Sequence, residues 1–203
     1  TNYFCIISYM CNEKKVMNDK DQIVENWLPR YTGRKLKDFG RYILLTNFNQ
    51  YIELFAKKYN VTIVGKDKPM PNASYKGITI INFGMGSPNA ATTMDLLTAI
   101  KPMAVLFLGK CGGLKRKNKL GDLILPIGAI RAEGTSDSYL PPEVPALPAF
   151  RLQKAVSTII RTHKKDYWSG TVYTTNRRVW EHDNDFKKYL RKLRCMAIDM
   201  ETA

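Results

Sequence analysis

Histidine is nearly missing from this 203-residue chain, which has only His163 and His182. That scarcity excludes a His-rich metal centre. Cysteine is sparse too. Cys5, Cys11, Cys111 and Cys195 are spaced neither as a zinc site nor as a dense disulfide framework, so reduced cytosolic thiols are expected. No apolar run approaches the roughly 20 residues that cross a bilayer. The opening TNYFCIISYM is apolar but short, and CNEKK follows it. It lacks the basic start and small-residue cleavage site of a secretory signal. Residues 1–16 are therefore expected to be an N-terminal extension, with the folded domain over 17–203 and Met17 as its natural start.

Acid is in short supply as well: 18 Asp and Glu face 32 Lys and Arg, a net charge of +14. Such an excess suggests an anionic partner. It leaves open a nucleic acid, a phosphorylated small substrate or a solvated basic surface. No zinc finger, helix-turn-helix or aromatic RNA-binding motif accompanies it, so neither nucleic acid nor membrane is expected as a partner. With 44% hydrophobic residues, the chain is too apolar for disorder and can bury a core.

Strands and helices alternate along the chain. Residues 21–26 have helical spacing, which Pro29 should end. Strands are expected at 42–45, 77–86, 103–113 (strongly buried), 121–130 (broken by Pro126), 169–177 (ending in an exit loop) and from 195. Helices are expected at 50–59, 89–100, 150–163 and 185–193. Residues 61–65 form one more apolar run, and 66–76, with two prolines, read as a loop. The proline-rich stretch 140–149 cannot be regular, because proline fixes φ and removes a donor. Apolar strands alternating with helices indicate an α/β domain with a sheet covered on both faces.

Two strands end in glycines, and in such sheets ligands bind beyond the carboxyl ends of the strands. FGMGSPNAATTMD puts glycine, serine and asparagine between a strand and a helix start, where backbone N–H groups favour an anion or a polar oxygen. LGKCGGLK is a second glycine turn, open to the close approach of a flat base. Neither is a dinucleotide or P-loop signature. IDMETA sets Asp199 and Glu201 at a strand end, one acid expected to face a ligand and the other a partner element.

Together GMGSPNA, GKCGGL with GDLILP, GTVYTTN and the closing IDMETA resemble the nucleoside phosphorylase superfamily, in its order. RYTG, ILLTNF, LPPEVPALPA and RRVWE are similar to its AMP nucleosidase branch. The resemblance implies a three-layer phosphorylase-type α/β fold, with a mixed central sheet flanked by helices on both faces. It implies hydrolysis of the N-glycosidic bond of AMP without cofactor or metal, in a cytoplasmic homo-oligomer built from dimers, up to a hexamer. The alternatives within the superfamily are a purine nucleoside phosphorylase and a methylthioadenosine or S-adenosylhomocysteine nucleosidase. A basic nucleic-acid-binding module is a distant third.

The purine phosphorylases carry a G-D-P-x-R-A loop where this chain has Thr46-Asn47-Phe48. Loss of that arginine, a phosphate ligand there, suits water as the attacking group. The resemblance assigns Glu201 the catalytic role: a carboxylate that stabilises the cation-like ribose and binds its hydroxyls. Met200 would pack on the ribose, and Asp199 is the first acid of the motif. Tyr173 would stack on adenine, while Lys110, Cys111 and Gly112 approach the nucleotide. Gly86, Ser87 and Asn89 would hold the sugar or the water, and Asn47 and Phe48 line the other wall. The 5′-phosphate calls for arginine, whose planar fork binds its oxygens in pairs; the candidates are Arg30, Arg177 and Arg178. The family's general acid, an aspartate in a Ser-Asp pair one strand after the closing motif, is expected beyond Ala203, with a further strand and helix.

Overall fold

The structure, a computed structural model, describes residues 19–203. The expected extension 1–16, Met17, Cys5 and Cys11 lie outside that span. The chain divides into two compact units, one running up to Gly109 and the other from Lys110 to Ala203.

The first unit contains α1 (Asp19–Thr32), β1 (Tyr42–Thr46), α2 (Asn49–Tyr59), β2 (Asn72–Tyr75), β3 (Ile78–Asn82), α3 (Ser87–Leu97) and β4 (Ala104–Leu108). Its sheet has the order β2-β3-β1-β4. β1 runs parallel to β3 and β4, and β2 runs antiparallel to β3. Alternate residues of a strand face opposite sides, and the core divides accordingly. Ile43, Leu45 and Ile81 pack with Val24 and Leu28 of α1 and with Leu96 and Leu97 of α3. On the other face Ile80 packs with Ile52 and Ala56 of α2. This sheet is thus covered on both sides, as the apolar strands require.

Three local features depart from expectation. Pro29 lies inside α1, which runs on to Thr32. The last turn holds because Leu28 and Thr32 are fully buried. Thr32 Oγ1 also donates to Leu28 O at 2.6 Å, and Gly33 N donates to Pro29 O at 2.8 Å. Residues 72–75, expected as loop, form β2. Lys76 (φ 44°) and Gly77 (φ 81°) supply the two left-handed residues of a tight hairpin to β3. The run 61–65 contributes only a bridge from Val64 to Asn72. β4, expected to be strongly buried, leaves Leu106 and Leu108 exposed; it is the last strand in its sheet's order.

The second unit holds β5 (Gly112–Gly113), β6 (Leu123–Ala132), α4 (Phe150–Thr162), β7 (Tyr167–Thr175), α5 (Asn184–Lys192) and β8 (Ala197–Asp199). Its sheet has the order β5-β8-β7-β6. β6, β7 and β8 are parallel, and β5 is antiparallel to β8. Hydrogen bonding draws the described strands as two four-stranded mixed sheets, within the mixed α/β fold flanked by helices that was expected. Pro126 does not break β6. The strand continues through a bulge between Pro126 and Gly128, the usual place for a proline inside a sheet. Stretch 140–149 is irregular up to Ala149, apart from a bridge from Ala146 to Ala129. Asp183 caps α5 through Oδ1, which accepts from Asp185 N and Phe186 N at 3.1 and 2.9 Å.

Candidate active site

In the first unit the ends of β1 and β3 lie side by side. Phe83 N donates to Thr46 O at 3.0 Å. Asn82 Nδ2 reaches Asn49 Oδ1 at 2.6 Å, and Gly84 N donates to Asn82 Oδ1 at 2.9 Å. The structure thus brings Asn47 and Phe48 next to the turn that carries Gly86, Ser87 and Asn89. Asn47 Oδ1 is buried and has no hydrogen-bond partner among the described residues. A buried acceptor left open carries a free-energy cost, and a ligand or water is the ordinary remedy. Gly86 (φ 90°) turns the chain into α3, and Asn89 Nδ2 braces that turn by donating to Met85 O at 2.9 Å. Ser87 is buried at the helix start. Arg30 lies exposed in the last turn of α1.

In the second unit the carboxyl ends of β7 and β8 come together with β5. Gly112 pairs with Ile198, and a side chain there would press on the Ile198 methyl at 3.2 Å. Cys111 is exposed beside Asp199. Desolvation of its sulfur, then the Asp199 charge, pushes its thiol up. Lys110 is exposed.

Asp199 is buried, and its oxygens are engaged. Oδ1 accepts from Thr174 Oγ1 at 2.8 Å. Oδ2 accepts from Thr202 N at 3.0 Å and from the Thr202 hydroxyl. Burial pushes this carboxyl up to about 6, against the bonds from Thr202 and Thr174 that favour its charge; nearby Glu201 pushes the same way as burial. Thr174 Oγ1 also accepts from Ala203 N at 3.1 Å. One threonine therefore anchors the residues on both sides of Glu201. Glu201 itself is buried, and its Oε2 accepts from Met200 N at 3.2 Å. A carboxylate held on a short turn past a strand end is well placed to meet a cationic sugar.

The Tyr173 ring departs from expectation. It packs edge-on against Phe186 at 5.8 Å and Tyr189 at 6.2 Å, in a cluster with Leu190, Cys195 and Ile198. Strand alternation sends Tyr173 under α5 and Thr174 to the opposite face with Asp199. Burial raises the Tyr173 hydroxyl. Both nearby arginines have acid partners: Arg177 with Asp183 at 2.8 Å and Arg178 with Glu181 at 3.2 Å. Thr174 as anchor was visible from sequence only as the residue alternating with Tyr173. Among the described residues no cluster of three or more His, Cys, Asp or Glu is able to hold a metal ion, and no helix is long and apolar enough to cross a membrane.

The family model described as the phosphorylase superfamily matches residues 41–203. The crystal structure of AMP nucleosidase from Bacteroides thetaiotaomicron VPI-5482 superposes with a TM-score of 0.89 at 64% identity, covering 90% of this chain and 80% of that one. Uridine phosphorylase from Vibrio fischeri ES114 has a TM-score of 0.74 at 25% identity, covering 82% of this chain and 72% of its own. AMP nucleosidase from Escherichia coli K12 is 28% identical over 222 residues, covering 87% of this chain. The chain spans 46% of that relative's length.

Proposed function

Because the chain belongs to the phosphorylase superfamily, we propose that it hydrolyses the N-glycosidic bond of AMP to adenine and ribose 5-phosphate. The observation that carries this reading is 64% identity, over 90% of the chain, to an AMP nucleosidase of the same fold. The placement of Glu201 supports the chemistry. As the bond between adenine and C1′ breaks, positive charge spreads over C1′ and the ring oxygen. A buried carboxylate stabilises that charge most effectively where water is scarce. Water adds its oxygen to C1′, and one of its protons is balanced by the proton the departing adenine takes up. Water is preferred over phosphate because Thr46-Asn47-Phe48 contains no arginine.

On this reading Arg30, Arg177 and Arg178 are the candidates for the 5′-phosphate. Arg177 and Arg178 would exchange their present acid partners, Asp183 and Glu181, for phosphate oxygens. Cytoplasmic location and a homo-oligomeric state belong to the same proposal. The test is adenine release from AMP, adenosine and methylthioadenosine, each with and without inorganic phosphate. AMP should be cleaved fastest, with no requirement for phosphate. Rapid cleavage confined to the unphosphorylated nucleosides, or an absolute need for phosphate, overturns the reading.

A further inference from the structure

The sheet face that carries Asp199 also carries an arginine that the proposed reaction leaves without a role. Arg131 on β6 is in register with Thr174 on β7, which is in register with Asp199 on β8. Residues in register on parallel neighbours share a face. The Arg131 side chain is 3% exposed, and its donors gather one loop. Nε donates to Ser136 Oγ at 2.9 Å. Nη1 donates to the carbonyls of Pro141 and Val144 at 2.6 and 2.8 Å. Nη2 donates to Asp137 Oδ1 at 2.9 Å and to Leu140 O at 2.8 Å. A guanidinium has five donors, so none is left for a ligand.

Both ends of the loop are tied down as well. Glu133, buried, accepts from Thr135 N at 2.6 Å and from the Ser136 hydroxyl. Ala146 O accepts from Ala129 N at 2.8 Å, and Ala146 packs with Ala129 and Ala203. Ala203 lies two residues past Glu201.

We infer that Arg131 is a positioning residue that presets loop 134–146 as a wall beside the strand ends carrying Glu201, so that AMP binds without ordering that loop. The inference rests on the AMP reading. Prolines 141, 142 and 145 already restrict the loop, and Arg131 selects one of the remaining conformations. A loop competent only part of the time weakens apparent affinity by that fraction and leaves the later chemical step alone.

The test is hydrogen exchange of 134–146, together with steady-state kinetics, on Arg131→Gln, Arg131→Lys and Asp137→Asn. Lysine keeps the charge but loses the fork. In both Arg131 variants, exchange in the loop should rise about tenfold while β7 is unchanged, and saturating AMP should restore protection. KM should rise about tenfold, with kcat within about twofold of wild type. Asp137→Asn should behave as wild type, because four donors still hold the loop. Loop exchange at the wild-type level in both Arg131 variants overturns the inference. So does a fall in kcat at constant KM. If Arg131→Gln does not fold, Arg131→Lys and Ser136→Ala supply the same comparison. A wild-type protein that releases no adenine defeats the AMP reading, and the exchange measurement still judges the loop.

Discussion

Two carboxylates two positions apart behave differently because their surroundings differ. Asp199 is satisfied by protein groups, whereas Glu201 sits on the turn those groups secure. Glu201→Gln should cut adenine release from AMP by at least ~100-fold, because a neutral amide cannot stabilise the ribose cation. Its melting temperature should stay close to wild type; activity near the wild-type level removes Glu201 from the mechanism. Asp199 makes a prediction about pH. Burial pushes its carboxyl in the folded state up to about 6, well above the ordinary aspartate range. The folded state therefore binds the proton more tightly than the unfolded state. Its favourable contribution is present below pH 4 and is lost as pH rises through 6. A shift of that size corresponds to roughly 3 kcal/mol at most. Asp199→Asn should flatten this part of the stability profile, as read from urea midpoints at pH 4.5 and 7. An unchanged slope would place the titration elsewhere.

At the scale of elements, backbone space decides which glycines matter. A Cβ on Gly65 (φ 68°) would lie 2.2 Å from Thr32 O, whereas one on Gly77 (φ 81°) would meet nothing within 4 Å. Gly77→Ala should cost only about 1 kcal/mol, for the left-handed backbone. Gly65→Ala should cost about 3 kcal/mol or more, because α1 has to move away from the loop. Denaturant titration ranks the two, and equal effects would contradict the close approach.

The places where sequence reading failed are physical too. The helical spacing of residues 21–26 revealed α1, but the burial of Thr32 that carries the helix past Pro29 is a tertiary fact. β2 is short and polar, Asn72-Ala73-Ser74-Tyr75, so periodicity said nothing. Its hairpin signal was Lys-Gly rather than the familiar Asn-Gly. The glycine turns and IDMETA were legible because chemistry restricts which residues serve there. The Arg131 loop was illegible because its acceptors are mostly carbonyls, which any residue supplies.

For the molecule as a whole, stability should respond to substrate. Inactive Glu201→Gln with AMP at ~100 times its Kd should gain about 2.7 kcal/mol, a rise in melting temperature of roughly 5–10 °C. Adenosine at the same concentration should raise it less, since it lacks the phosphate that the arginines are proposed to hold. Equal shifts would speak against that contact. Arg177→Ala should likewise raise KM for AMP more than for adenosine, and a parallel rise for both would leave Arg177 as the tether of Asp183 alone.

The bulge in β6 carries a consequence of its own. Before it, Pro126 is opposite Gly170; after it, Gly128 is opposite Thr171, and Ile127 is the residue left over. That single supernumerary residue sets the parity of everything downstream. It sends Arg131 to the same side as Asp199 and leaves Ile130 and Ala132 for α5. Straightening the strand so that Ile127 faced Thr171 would slip every later residue by one, driving the guanidinium into the greasy underside of α5 and the Ile130 side chain into its place.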